Sequence, residues 1–323
     1  LRERYSVDGE NPLHPTKVLR RELAHILLRF LEDKKWRGTW RIKKFVSNSL
    51  IPRPKGPVIC STKYGFKVIV HPALDNNGGL EAQIYYAGSY EAGTLYIFLK
   101  TLSSGDVCLD VGANIGLMSL HAAKLVGNSG LVYSFEPMPA VFELLKANVD
   151  LNNFNNIHTY KLALGARQET QPIYAHFAIN RGGSSLVNFE GGQKIADVNV
   201  ETIDNVVFSL IKRDIKLIKI DVEGWELEVL KGARRVLSQA HAPIICVEYS
   251  CLHPIQGGEP LDIYRFITSI NGYRCFKLEK SKSTPSKLMA IREIRDLPKH
   301  DNLFCFLSSH IKELDEELFN GSS

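Results

Sequence analysis

The sequence has no Cys-x-x-Cys or Cys-x-x-His pair, no Gly-Lys-Ser/Thr triplet, no low-complexity tract and no internal repeat. Without paired ligand spacing, its six cysteines do not build a zinc ribbon or finger. Cys108, Cys246 and Cys305 sit in apolar, strand-like runs and read as buried free thiols, which favours a reducing, cytoplasmic setting. A long apolar segment is also missing. The N-terminal stretch "LAHILLRFL" at 23–31 is interrupted by Arg29, and a helical span needs about 20 apolar residues. The opening "LRERYSVDGENP" is polar and lacks a small-residue cleavage pattern, so no secretory leader is expected.

What is present is an ordinary globular composition, 44% hydrophobic and 23% charged over 323 residues, enough for one large domain with additions or two smaller ones. The net charge of +5 is modest but concentrated. Between Lys17 and Lys44 a run that includes Arg20, Arg21, Lys34, Lys35, Arg37 and Arg41 faces only Glu22, Glu32 and Asp33. That pattern fits an anionic partner, and it fits a solvated helix face. No aromatic-interleaved nucleic-acid motif accompanies it, whereas Trp36 and Trp40 suit a peripheral membrane contact.

Apolar spacing over 16–31 predicts an amphipathic helix within a basic N-terminal extension, residues 1–55. "IPRPKGP" at 51–57 closes it, and a strand or hairpin lead-in is expected over 56–104. From residue 105 the chain alternates strand and helix to about 310: "DVCLDVG", "GLVYSFEP", "IHTYKLALG", "IKLIKIDVEG" and "PIICVEYS" read as strands. Residues 166–206 interrupt the rhythm with hairpin strands and a polar loop, and "YRCFKLE" and "NLFCFLS" suit an antiparallel pair at the sheet's end. An acidic tail, 311–323, is expected to follow. Such alternation builds a doubly wound sheet with its ligand at the carboxyl ends of the strands.

"CLDVGANIG", residues 108–116, has the shape of a nucleotide turn. A dinucleotide turn counted from Gly112 would need glycines where Asn114 and Leu117 stand, and a phosphate loop lacks its Gly-Lys-Ser/Thr. The turn therefore suits a nucleoside-like ligand with little phosphate provision, such as S-adenosylmethionine (SAM). Asp110 can face the cationic methionine end, and Glu136, at the end of "SFEP", is placed to accept from ribose hydroxyls. Capping of the turns after each strand is the competing reading for both.

"GDVCLDVGANIG", "VYSFEPMP", "YKLALG", "GGSSLV", "VNVETIDNV" and "IKLIKIDVEGWELEVLKGA", in this order over residues 80–250, resemble an FkbM-type SAM-dependent methyltransferase; "AGSYEAGTLYIFLK" matches that family's lead-in. The resemblance implies a Rossmann-like class I α/β fold, with a mostly parallel seven-stranded sheet and helices on both faces. It also implies SAM as cofactor and methyl transfer to a hydroxyl oxygen of a sugar, glycan, lipid or secondary metabolite. Gly112, Asn114 and Gly116 would line the methionine side, Asp110 nearby and Glu136 on the ribose. Ala163 and Leu164 would border the adenine, and Tyr90 with Glu91 would close over the methionine end or pack as a pair.

"KIDVEGWE" places Lys219, Asp221 and Glu223 on alternate residues, sharing a face if the strand persists that far. They are the candidates to position and deprotonate a hydroxyl acceptor. Asp221 with Glu248, and His253 nearby, would make an oxygen-rich Mg²⁺ or Mn²⁺ site, or Lys219, Asp221 and Glu248 form an ion-pair network that fixes the loops. "GGSSL" at 182–186 is either a loop over the substrate mouth or a plain hairpin connection. An NAD(P) oxidoreductase and a catalytically silent SAM-fold module are the alternatives.

Overall fold

The computed structural model describes residues 6–7, 54, 56–74, 79–175, 184–188, 192–252 and 254–320, with isolated positions 23, 27 and 42. The helix expected over 16–31 and the basic stretch around Trp36 and Trp40 lie outside the described residues. The chain divides into two compact units, residues 1–90 with 178–182, and residues 91–177 with 183–323. The first holds a small sheet in which β1 (Ser6–Val7) runs parallel to β2 (Val58–Ser61) and β2 pairs antiparallel with β3 (Lys67–Val70). "STKYGFKVIVHP" therefore spans the hairpin turn of the lead-in. Thr62 and Phe66 exchange hydrogen bonds across it, and Gly65 adopts φ +81. Helix α1 (Leu80–Ala87), absent from the expected lead-in, follows and ends on Gly88 in the left-handed conformation.

The second unit is built on α2 (Ala92–Thr101) and an eight-stranded sheet. In chain order its strands are β4 (Val107–Val111), β5 (Leu131–Phe135), β6 (Ile157–Tyr160), β11 (Leu217–Ile220), β12 (Ile244–Ser250), β13 (Arg274–Leu278), β14 (Leu288–Ala290) and β15 (His300–Phe306). Their spatial order is β14-β13-β15-β12-β11-β4-β5-β6. From β12 to β6 the strands are parallel, and β15, β13 and β14 join antiparallel. The count exceeds the expected seven by β14, a three-residue strand that β13 recruits by pairing.

Buried on both faces, the parallel strands read as apolar runs; every residue of β4 and β11 is buried. Helices α3 (Leu117–Val126) and α4 (Pro139–Leu151) follow β4 and β5, the latter opening with Pro139 in its first turn. Beyond β11 come α5 (Glu226–Lys231) and α6 (Arg234–Leu237). They separate at Gly232, where a Cβ would come within 1.9 Å of the Gly165 carbonyl oxygen. Helix α7 (Pro260–Thr268) leads into β13.

The interruption at 166–206 forms its own sheet. There β8 (Glu169–Ala175) and β10 (Gln193–Glu201) pair antiparallel, with β7 (Ala163–Leu164) beside β10 and β9 (Ser184–Ser185) beside β8. "IHTYKLALG" is thus divided between two sheets rather than forming one strand. The expected acidic tail does not trail away. Helix α8 (Ser308–Glu313) follows β15, and Leu318 and Phe319 are buried, the latter against Phe276 and Phe306.

Candidate active site

Strand order reverses between β4 and β11: the chain runs from β4 outward to β6, then returns to β11 on the other side of β4 and continues to β12. Such a reversal opens a crevice at the strands' carboxyl ends. Asp110 and Lys219 are direct cross-strand neighbours there. Both are buried, and Lys219 Nζ lies 3.4 Å from Asp110 Oδ1 and 3.3 Å from Asp221 Oδ2 while donating to the Gly112 carbonyl at 3.0 Å. Asp110 Oδ2 accepts from Ser119 Oγ at 2.6 Å, and Ser134 in turn donates to Ser119. Oδ1 accepts no hydrogen bond among the described residues, so its compensation is the ion pair alone. Burial pulls the Lys219 ammonium down, but Asp221, Asp110 and Glu91 outweigh it and hold the group above the usual lysine range. Lys219 stays charged and ties the two strands together, which makes it a poor proton acceptor.

The glycine turn is folded onto its neighbours. Gly112 and Ala113 both donate to the Phe135 carbonyl, Asn114 donates to Glu136 Oε2, Ile115 to Asn114 Oδ1 and Gly116 to the Ala113 carbonyl. Every backbone N–H of residues 112–116 is thereby used within the fold. Gly112 adopts φ +77, and a Cβ there would lie 1.8 Å from the Asp221 carbonyl oxygen, so this turn and the end of β11 touch backbone to backbone. Glu136 receives a second N–H, from Met138, on Oε1. Burial pushes its carboxyl up to about 7 against these two bonds.

Strand β11 ends at Ile220, so the alternation expected to carry Lys219, Asp221 and Glu223 on one face stops short of Glu223. The turn after it is tight: Glu223 has φ +53 and Gly224 φ +94, and Glu226 Oε1 accepts from the N–H groups of Val222 and Gly224. Burial raises Asp221, but Lys219 and Lys282 outweigh it and leave the carboxylate below its ordinary range. Glu223 is pushed well above its range by burial and by Glu248 and Asp221. No side chain or backbone group donates to its carboxylate among the described residues.

Glu248 and Glu91 meet on Lys282, a residue no sequence motif marked. Its Nζ lies 2.6 Å from Glu248 Oε1 and 3.0 Å from Glu91 Oε1. Asn302 Nδ2 and Thr94 Oγ1 donate to Glu91 Oε2. The Lys282 carbonyl accepts from Gly93 and Thr94, and a Cβ on Gly93 would strike the carbonyls of Ser281 and Lys282, so only glycine lets this segment reach the first turn of α2. Burial, ahead of the Asp221 charge, pushes the Glu248 carboxyl up to about 8. The metal site expected at Asp221 and Glu248 gains no support: both carboxylates are paired with lysine ammonium groups, and among the described residues no group of three or more His, Cys, Asp and Glu side chains could hold an ion. His253 lies outside the described residues.

Ala163 and Leu164 are buried in β7, against β10. Ser185, in the polar loop, donates to the Glu223 carbonyl at 2.6 Å. That bond spans 38 residues, and nothing in the sequence announces it.

The sequence pattern described as the methyltransferase FkbM domain matches residues 110–275, from Asp110 of the glycine turn into β13. The chain belongs to the FkbM methyltransferase family. Among curated relatives, methyltransferase sdnD of Sordaria araneosa is 30% identical over 164 residues, covering 42% of this chain and 62% of that protein. The hexuronic acid methyltransferase AglP of Haloferax volcanii is 29% identical over 182 residues, covering 55% of this chain and 68% of AglP. A crystal structure of methyltransferase FkbM from Methylobacillus flagellatus is similar with 21% identity and a TM-score of 0.41, over 65% of this chain and 48% of that one. The FkbM match ends before Lys282 and Asn302, so the ion pairs that hold Glu91 and Glu248 lie partly beyond it. Among the described residues no helix is long and apolar enough to cross a membrane.

Proposed function

We propose that this protein binds SAM in the crevice between β4 and β11 and transfers its methyl group to a hydroxyl oxygen of a sugar, glycan, lipid or secondary metabolite. The observation that carries the reading is the Glu223 carboxyl, to which no group donates among the described residues, raised in pKa by burial at the carboxyl end of β11 beside a glycine turn whose N–H groups are all engaged. A pyrophosphate needs free N–H donors at that turn, so the same fact disfavours a dinucleotide. The residues present fit SAM. Asp110 Oδ1 keeps a free lone pair for a cationic ligand, and Glu136 keeps acceptor capacity on each oxygen beyond its two backbone bonds.

When bound, SAM supplies an electrophilic methyl on a sulfonium. The chain's part is placement and proton removal. Asp221, held ionised by Lys219 and Lys282, favours positive charge in the crevice, and Asp110 faces the same Lys219 ammonium. Glu223, with a raised pKa and no competing donor among the described residues, is the carboxylate suited to take the acceptor's hydroxyl proton. Lys219 and Asp221 position, and Glu223 is the base. The name of AglP supports a hexuronic acid as the first acceptor to try. Calorimetry should show SAM binding and no NAD binding, with Asp110→Asn weakening SAM by about tenfold or more, as expected for a lost charge-assisted contact. Incubation with SAM and hexuronates should add the mass of one CH₂ group, read by mass spectrometry. Preference for NAD would overturn the reading, and SAM binding without turnover on a broad acceptor panel would favour a silent module.

A further inference from the structure

The turn that carries Glu223 is closed from three sides. Glu226 caps the N–H groups of Val222 and Gly224, Gln256 donates to the Gly224 carbonyl at 2.8 Å, and Asp221 donates to Val111. The Glu223 carbonyl is satisfied from elsewhere in the chain, by the Ser185 hydroxyl at 2.6 Å. That hydroxyl is itself fixed, because its oxygen also accepts from the Val187 N–H at 2.9 Å and β9 pairs with β8 through Ser185 and Tyr174. Ser185 is 1% exposed, so water does not compete for either bond. Glu223 is a non-glycine residue at φ +53, a conformation that persists only where surrounding bonds over-determine it. Backbone angles set the direction in which a side chain leaves. A hydroxyl in the inserted sheet is therefore in a position to aim a carboxylate at the end of β11.

We propose that Ser185 is a positioning residue for Glu223: its hydroxyl holds the Glu223 backbone in the left-handed conformation and so keeps the carboxylate unpaired among its acidic neighbours. The inference deepens the reading of Glu223 as base and rests on it for its functional meaning, but its geometry is testable without an acceptor. The groups that face Glu223 are Glu248 from β12, Asp221 from its own turn, Glu226 from the start of α5, and Lys282 from the segment after β13. Released from the left-handed turn, the carboxylate gains water or reaches Lys282, and either change favours its ionised form.

The test is an NMR titration of ¹³C-glutamate-labelled full chain, with the Glu223 side-chain signal assigned by its loss in Glu223→Gln. In the wild type the signal should titrate well above the ordinary glutamate range. Ser185→Ala should move the midpoint down by about one pH unit or more, and Ser185→Thr, which keeps the hydroxyl, should restore it. Ser185→Cys, with a weaker donor of similar size, should fall between, and it preserves the comparison if alanine costs the fold. An unchanged midpoint in a folded Ser185→Ala or Ser185→Cys protein would overturn the proposal, as would a threonine variant that titrates like alanine. SAM calorimetry on the same samples separates the two ideas: absent SAM binding defeats the cofactor reading and leaves the titration result standing.

Discussion

Lys219 shows how one buried side chain can determine whether a site forms. It pairs with both Asp110 and Asp221 and donates to Gly112, so the two strand ends and the glycine turn share one ammonium. Replacing it with methionine keeps the volume but leaves Asp110, 1% exposed, with an uncompensated charge. Breaking a buried pair from one side costs about 3–5 kcal/mol. Lys219→Met should therefore lose stability of that order at neutral pH in denaturant unfolding. The loss should be smaller in Lys219→Met combined with Asp110→Asn, because the orphaned charge is then gone. Equal losses in the single and double variants would show that Lys219 acts through packing alone.

At the scale of elements, the turn between β11 and α5 is held by Glu226, whose burial pushes its carboxyl from the ordinary 4.5 to about 7 despite two backbone bonds. A folded pKa above the unfolded one means that the native state holds the proton more tightly. This contribution to stability is full below pH 4.5 and is lost as pH rises to about 7. Glu136 works in the same window and direction. Glu226→Gln keeps an acceptor oxygen for the Val222 and Gly224 N–H groups and cannot ionise. Its melting temperature should thus fall less between pH 5 and 8 than the wild type's, and a parallel fall would place the burden elsewhere. Much of this region could be read from sequence, because the alternation of apolar strands and helices repeats along the chain and the glycines mark where it turns. The reversal of direction at Glu223 was hidden, since the bonds that its turn receives from Ser185 and Gln256 come from residues distant in the sequence. The strand at Leu288–Ala290 was hidden for a similar reason: three residues carry no period, and only pairing with β13 makes them a strand. Lys282 stands in a polar stretch like many others, and only the fold brings it to Glu91 and Glu248.

For the second unit as a whole, the order of the strands matters more than their number. β15 is a late segment of the chain, yet it lies between β12 and β13 and so joins the parallel half of the sheet to its antiparallel end. Its residues from Asp301 to Phe306 are all buried, with Leu303, Phe304, Cys305 and Phe306 fully enclosed. Asn302, on the same strand, holds Glu91 and Thr94. The residues matched to the family, 110–275, therefore do not make a self-sufficient sheet, because β12 would present an unpaired, apolar edge. A chain ending at residue 299 should accumulate in the insoluble fraction or, if recovered, lack a cooperative melt. One ending at residue 320 should melt like the full chain, since it keeps the buried Leu318 and the Phe319 ring packed against Phe276 and Phe306. The comparison is made by solubility and circular-dichroism melting of the two truncations. A soluble, cooperatively melting protein that stops at 299 would mean that the parallel strands close their own core and that β15 serves only to bring Asn302 to Glu91.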